Sequence, residues 1–290
     1  MKFVHSFWSK PLLESKFNDY NTHLNVVLTD YAYSAACIKK NGHSIRLFTD
    51  KIGEQLLSFI PYDEIVVLDI PKNWNVHFAA QIKFEALKRM NLDECLIDGD
   101  LFLKYPAAYE RISSINADFV YSFFEPTSFT LNTQTQIDKY THMRDQMRVY
   151  RSSFKAPYEI DKDINSDYEW TNTSLMLFHN QSLKNEYIRQ YEYHRRLLKN
   201  IDFKNMWPDI IIEQRHMTKL LATGYSSEPV VAEFPTRFAN EYAIKIGYTH
   251  LGSAKVSLHH IVKDWLKELD SDLFDAVQEQ TAKYLSQKFV

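Results

Sequence analysis

Apolar and polar positions along the first 124 residues alternate between two rhythms. Residues 2–8 read as a buried strand, followed by a loop at Ser9-Lys10-Pro11. Residues 25–40 carry helical spacing, with Asp30 as a capping residue and Asn41-Gly42 as the stop signal. A second strand follows at 44–49, a short helix at 52–59 and a third strand at 64–68. Residues 78–90 read as a helix with Ala79, Ile82, Ala86 and Leu87 along one side. A short apolar strand at 94–97 ends in Asp98-Gly99-Asp100, with Leu101-Phe102-Leu103 beyond it, and a fifth strand is expected at 117–124. Strands alternating with helices imply an α/β fold with a mostly parallel central sheet and helices on both faces. Ligands gather at the carboxyl ends of strands in such sheets. The acidic triplet falls at one of those ends.

The second half is less regular. Residues 126–167 form a polar, partly helical excursion. A strand is expected at 175–178 after Trp170-Thr171-Asn172-Thr173-Ser174, and a polar helix at 183–198. Another helix spans 209–221, opened by Pro208 in the favoured first turn. A late strand is placed at 230–234 and an amphipathic helix at 271–289, where Phe274, Val277, Tyr284 and Leu285 recur near helical spacing. With no internal repeat, low-complexity tract or clear linker, residues 1–290 are expected to form a single domain.

Composition narrows the class. The chain is 45% hydrophobic and 24% charged, which excludes a disordered chain. A formal net charge of −3 excludes the strongly basic footprint of a nucleic-acid partner. Cys37 and Cys95 lie in apolar stretches and read as buried free thiols, which favours a reducing compartment. Met1-Lys2-Phe3-Val4-His5 enters the first strand directly, and no apolar run reaches a membrane span. The expectation is a cytoplasmic protein without a signal peptide or transmembrane segment. Peripheral contact with a membrane surface stays open.

The triplet carries the chemistry. Two residues apart on an extended backbone, Asp98 and Asp100 would point to one side. Gly99 between them would let a ligand approach the backbone. Paired carboxylates repel each other unless a cation sits between them. Hard oxygen ligands suit Mn²⁺ or Mg²⁺, which would neutralise a diphosphate leaving group. The plain alternative is an acidic turn with each Asp solvated or capping a helix.

Leu96-Ile97-Asp98-Gly99-Asp100-Leu101-Phe102-Leu103 resembles the DxD segment of GT-A glycosyltransferases, notably those related to family 8 and to bacterial polysaccharide-synthesis enzymes. The resemblance implies a Rossmann-like GT-A domain with a nucleotide-binding half at 1–124 and an acceptor-side half at 125–290. It implies Asp100 as a direct metal ligand and Asp98 as a ligand shared with the sugar nucleotide. Thr249-His250-Leu251-Gly252-Ser253-Ala254-Lys255 resembles the family 8 segment in which a His completes the metal site and a Gly and a Lys bind diphosphate. That implies His250 as a metal ligand and Gly252 and Lys255 as diphosphate contacts. One residue stands between His250 and Gly252 where family 8 has two, and Val256-Ser257 follow Lys255 where that family has Pro-Trp.

Further candidates follow from their positions. Phe7 and Trp8 end the first strand, where GT-A enzymes hold the nucleobase. Lys83 is offered to the diphosphate or donor sugar, and Asn172 to donor or acceptor. Asp209 and Glu213, four apart on one helix face, are candidates for the base that deprotonates an acceptor hydroxyl. The expected activity moves a sugar from a nucleoside diphosphate donor, a UDP-sugar, to a hydroxyl on a glycan or lipid-linked acceptor. A sugar-1-phosphate nucleotidyltransferase is the first rival, but Phe7-Trp8-Ser9-Lys10-Pro11 lacks the glycine-rich loop it would need. A non-catalytic carbohydrate- or nucleotide-sugar-binding protein is the second, and it would not need paired carboxylates with a distant His.

Overall fold

The computed structural model describes residues 1–14, 20–76, 78–125, 170–198, 211–231 and 241–286. Seven strands form the main sheet: β1 (Lys2–Phe7), β2 (Ser44–Thr49), β3 (Glu64–Val67), β4 (Glu94–Ile97), β6 (Phe119–Tyr121), β9 (Leu175–Phe178) and β10 (Ser227–Pro229). Their order is β10-β6-β9-β4-β1-β2-β3. β9 runs antiparallel to both β4 and β6, while the other neighbouring pairs are parallel. The mostly parallel sheet expected from the pattern is therefore formed, and strands from both halves of the chain share it. Two small ribbons accompany it. β5 (Leu101–Leu103) pairs antiparallel with β11 (Tyr248–His250), and β7 (Phe124–Glu125) with β8 (Trp170–Thr171).

Strand periodicity sends alternate side chains to opposite faces. Phe3, Leu47, Cys95 and Ile97 join one buried cluster with α2 (Tyr20–Lys40), α5 (Pro106–Ser114), α9 (Lys255–Leu269) and α10 (Ser271–Ser286). Val4, Phe48 and Leu96 join the other with α4 (Gln81–Leu87), α6 (Gln181–Leu198) and α7 (His216–Leu221). Each fully buried Leu or Phe in these layers contributes about 1.5–3 kcal/mol of burial. The remaining helices are α1 (Ser9–Glu14), α3 (Lys51–Leu57) and α8 (Glu241–Ile246). No described helix is long and apolar enough to cross a membrane.

Several expectations are corrected. Ser9-Lys10-Pro11 is the start of α1. The Asp50 side chain accepts from the Ser9 backbone N–H and hydroxyl, at 3.2 and 2.5 Å, and from the Gly53 N–H of α3, so one carboxylate serves two helix starts. Asp30 caps nothing, because α2 begins at Tyr20 and Asp30 lies buried at its middle. The helix expected from residue 78 begins at Gln81, and a helix over Lys255–Leu269 adds to those the pattern predicts. The late strand precedes its expected place. β10 ends at Pro229, and Val230 and Val231 then donate to the Tyr121 and Ser122 carbonyls. Residues 232–234 of that prediction lie outside the described residues.

The acidic triplet is not extended. Asp98 continues β4 by donating to the Ser174 carbonyl at 2.8 Å, and the chain then turns, with the Leu101 N–H on the Asp98 carbonyl at 3.1 Å. Gly99 lets a side chain approach, not a ligand. A Cβ there would stand 2.3–2.6 Å from carbons of the Tyr31 ring, which is anchored by its hydroxyl on the Ser6 carbonyl. Gly99→Ala is expected to lower stability by about 1–3 kcal/mol through this overlap, measured by chemical denaturation. An unchanged midpoint would show that the ring moves aside freely.

Candidate functional site

Two backbone pairings build the site. β11 lies against β5 with His250 opposite Leu101, and the Leu251 N–H donates to the Asp100 carbonyl at 3.1 Å. This brings His250 Nε2 to 3.7 Å from Asp100 Oδ1. One ligand atom each from Asp98, Asp100 and His250 lie within 4.8 Å of one another. Gly252 follows in the left-handed region at φ +52, which favours glycine, and a Cβ there would sit 3.6 Å from the imidazole. The short turn Gly252–Ala254 then starts α9, whose first residue, Lys255, places Nζ 3.6 Å from Asp100 Oδ2.

β9 beside β4 is the second pairing. It sets Asn172-Thr173-Ser174 next to Asp98, where Asn172 Oδ1 accepts from the Ser174 N–H at 3.0 Å and fixes the turn. Thr173 Oγ1 donates to Glu213 Oε1 at 2.7 Å. Lys83 Nζ reaches the same oxygen at 2.8 Å and Asp98 Oδ1 at 2.7 Å. Glu213 stands on a π-helical turn, Ile211–Arg215, whose Glu213 carbonyl accepts from the Tyr187 hydroxyl at 3.0 Å. Asp98, Lys83, Glu213 and Thr173 thus form one bonded chain across four segments.

The other candidates are placed differently. Phe7 and Trp8 are buried, with Phe7 edge-on to Tyr31 and Trp8 edge-on to Trp74. Their rings are engaged in packing, not open for a base. Asn172 is buried and holds the turn. Asp209 lies outside the described residues. Residues that pattern reasoning passed over are Tyr31, covering Gly99, and Asp30, a buried acid behind the turn. The sequence pattern assigns Asp30 to a helix cap and singles out Tyr31 for nothing, so neither signals the site.

Electrostatics divide the two aspartates. Burial pushes the Asp98 carboxyl up to about 6; Lys83 opposes this, and the charges of Asp100 and Glu213 add to it. Burial would also raise Asp100, but Lys255, His250 and Lys83 outweigh it and hold that carboxyl below the usual range. Lys83 is held above its ordinary value, since Asp98 and Glu213 overcome the cost of burying its charge. Beneath the site His5 is pushed down to about 3 by burial. It lies 2.9 Å from the Tyr62 hydroxyl and 3.1 Å from Ser34 Oγ, which donates to the Leu101 carbonyl. Because Ser34 spends its proton on that carbonyl, His5 donates through Nε2 and accepts from Tyr62 through Nδ1.

No protein-family model and no curated protein sequence matches the chain. Among solved structures it is similar to the glycosyltransferase GlyE of Streptococcus pneumoniae TIGR4. The apo form aligns at 13% identity and a TM-score of 0.37, over 78% of this chain and 44% of that one. A second GlyE structure aligns at 12% and 0.38, over 78% and 45%. The galactosyltransferase LgtC, in complex with donor and acceptor sugar analogs, aligns at 8% and 0.37, over 79% and 73%. The chain spans less than half the length of GlyE.

The raised Asp98 carboxyl has a consequence for stability. Between its ordinary value of 3.8 and about 6, the folded chain binds a proton that the unfolded chain releases, so stability falls as pH rises through that window. Asp98→Asn is therefore expected to melt above the wild type at pH 7, with the gap closing toward pH 4. Melting curves across that range check this, and a variant that melts lower at pH 7 contradicts it.

Proposed function

We propose that the chain is a glycosyltransferase of the GT-A type that moves a sugar from a nucleoside diphosphate donor, a UDP-sugar, to a hydroxyl acceptor, with a divalent cation held by Asp98, Asp100 and His250. The observation that carries this reading is the convergence of two carboxylates, an imidazole and Lys255 at the carboxyl end of the central strand β4, from segments some 150 residues apart.

The donor set fits a cation. Two carboxylate oxygens and one imidazole nitrogen suit Mn²⁺, and the nitrogen favours it over Mg²⁺. The upward push on Asp98 agrees with a site built to receive positive charge. When bound, the cation supplies charge neutralisation for the departing diphosphate.

The chain's own groups supply the rest. Lys255, with 42% of its side chain exposed at the rim, places an ammonium on the diphosphate side. Gly252, in the left-handed region beside His250, lets a phosphate oxygen approach the backbone of its turn. Lys83, gripped by Asp98 and Glu213, fixes the Asp98 carboxylate and reaches toward the donor sugar. Of the two acids offered as base for the acceptor, Glu213 is tied to this cluster through Lys83, and Asp209 remains a candidate from its sequence position. The buried thiols of Cys37 and Cys95 fit the reducing, cytoplasmic setting expected for this work. The nucleotidyltransferase alternative is disfavoured because α1, not a glycine-rich loop, follows β1.

Calorimetry with UDP, with and without Mn²⁺, tests the proposal. Wild type is expected to bind UDP far more tightly with Mn²⁺, and Asp100→Ala to lose about a hundredfold or more of that gain while keeping its melting transition. Equal UDP affinity with and without the cation contradicts the reading.

A further inference from the structure

Asp30 is a buried acid that the fold does not explain. It is 2% exposed, at the middle of α2, and neither carboxyl oxygen has a hydrogen-bond partner. Burying a carboxyl with nothing to bond is costly, and such a group calls for a reason. Its position supplies one. The next residue, Tyr31, lies over Gly99 of the acidic turn. α2 packs along α9, the helix that begins with Lys255. Asp30 therefore lies behind the acidic turn, on the side from which Lys255 enters.

Lys255 is itself incompletely paired. Its ammonium has three donors, and the Asp100 contact of 3.6 Å is longer than a hydrogen bond. Burial and then the Asp100 charge hold the Asp30 carboxyl well above its usual range, and Lys255 pulls against them. Asp100 and, more weakly, Asp30 hold the Lys255 ammonium above its usual value. An unpartnered carboxyl and an incompletely paired ammonium thus lie on two helices that pack together, close enough for each to feel the other's charge but without an ion pair between them.

A cation on Asp100 changes this balance. A divalent ion and an ammonium on one carboxylate repel each other, so Lys255 must leave Asp100 or lose its counter-charge. We propose that Asp30 is a positioning residue that acts through Lys255: when the cation takes Asp100, the Lys255 ammonium moves to the Asp30 carboxylate and is held there facing the diphosphate. This inference rests on the cation reading given above.

A double-mutant cycle tests it. UDP affinity is measured by calorimetry at saturating Mn²⁺ for the wild type, Asp30→Asn, Lys255→Met and the double variant. Asp30→Asn is expected to weaken UDP about five- to tenfold alone, and by less than about twofold in the Lys255→Met background, because a residue acting through Lys255 has nothing left to act on. An equal loss in both backgrounds marks a purely structural effect and overturns the proposal, as does no loss at all. The apo Asp30→Asn variant should melt at or above the wild type, since it neutralises an unpartnered buried group. If it does not fold, wild-type crystals with Mn²⁺ and UDP decide. Lys255 Nζ within hydrogen-bond distance of Asp30 supports the proposal, and Asp30 still without a partner overturns it. Wild type that binds UDP without regard to Mn²⁺ overturns both this and the cation reading. Mn²⁺-dependent binding with an additive cycle overturns the role of Asp30 alone.

Discussion

The Lys83 ammonium, bonded at once to Asp98 and Glu213, is the interaction on which the site depends. It ties α4, the end of β4 and the π-helical turn at one point. The pair is largely buried, with 15% of the Lys83 side chain and 7% of the Glu213 side chain exposed. Forming such an arrangement gains little net stability, but removing Lys83, the one cation shared by both carboxylates, strands buried charge at a cost of about 3–5 kcal/mol. Its value is geometric. It fixes the Asp98 carboxylate in the turn while Thr173 braces Glu213 from the other side.

Around this anchor the site carries more acid than it neutralises. Asp98, Asp100 and Glu213 face Lys83 and Lys255, with the unpartnered Asp30 behind them. The surplus shows in opposite directions at neighbouring groups, with Asp98 pushed up and Asp100 held down. Crowding like charges in a part-buried pocket is unfavourable in the empty protein and becomes favourable when a cation enters. Structural and ligand-binding demands conflict at the carboxyl end of β4, and elsewhere the chain follows its hydrophobic pattern.

That pattern made the frame legible. The strands at 44–49 and 94–97 emerge with the bounds their apolar runs suggest, and the sheet is mostly parallel with helices on both faces. Legibility failed where local signals were silent. The start of α2 lies before its strongest apolar spacing, so Asp30 was placed at an end and not in the interior. Pro106 opens α5 in the first helical turn, where its missing N–H costs no hydrogen bond. The two acids of the turn stood out by spacing, but the reason for Gly99 did not, because the ring that fills its space comes from a helix some 70 residues earlier. His250 could be named by resemblance alone, since its nearness to Asp100 is made by the β5–β11 pairing, which no local spacing reports.

Anomalous diffraction at the manganese edge, from crystals soaked with Mn²⁺ and UDP, tests the central claim most directly. The account predicts one peak bounded by the carboxylates of Asp98 and Asp100 and the imidazole of His250, with diphosphate oxygens completing its shell. A peak elsewhere, or bound UDP with no manganese between it and those three side chains, would contradict it.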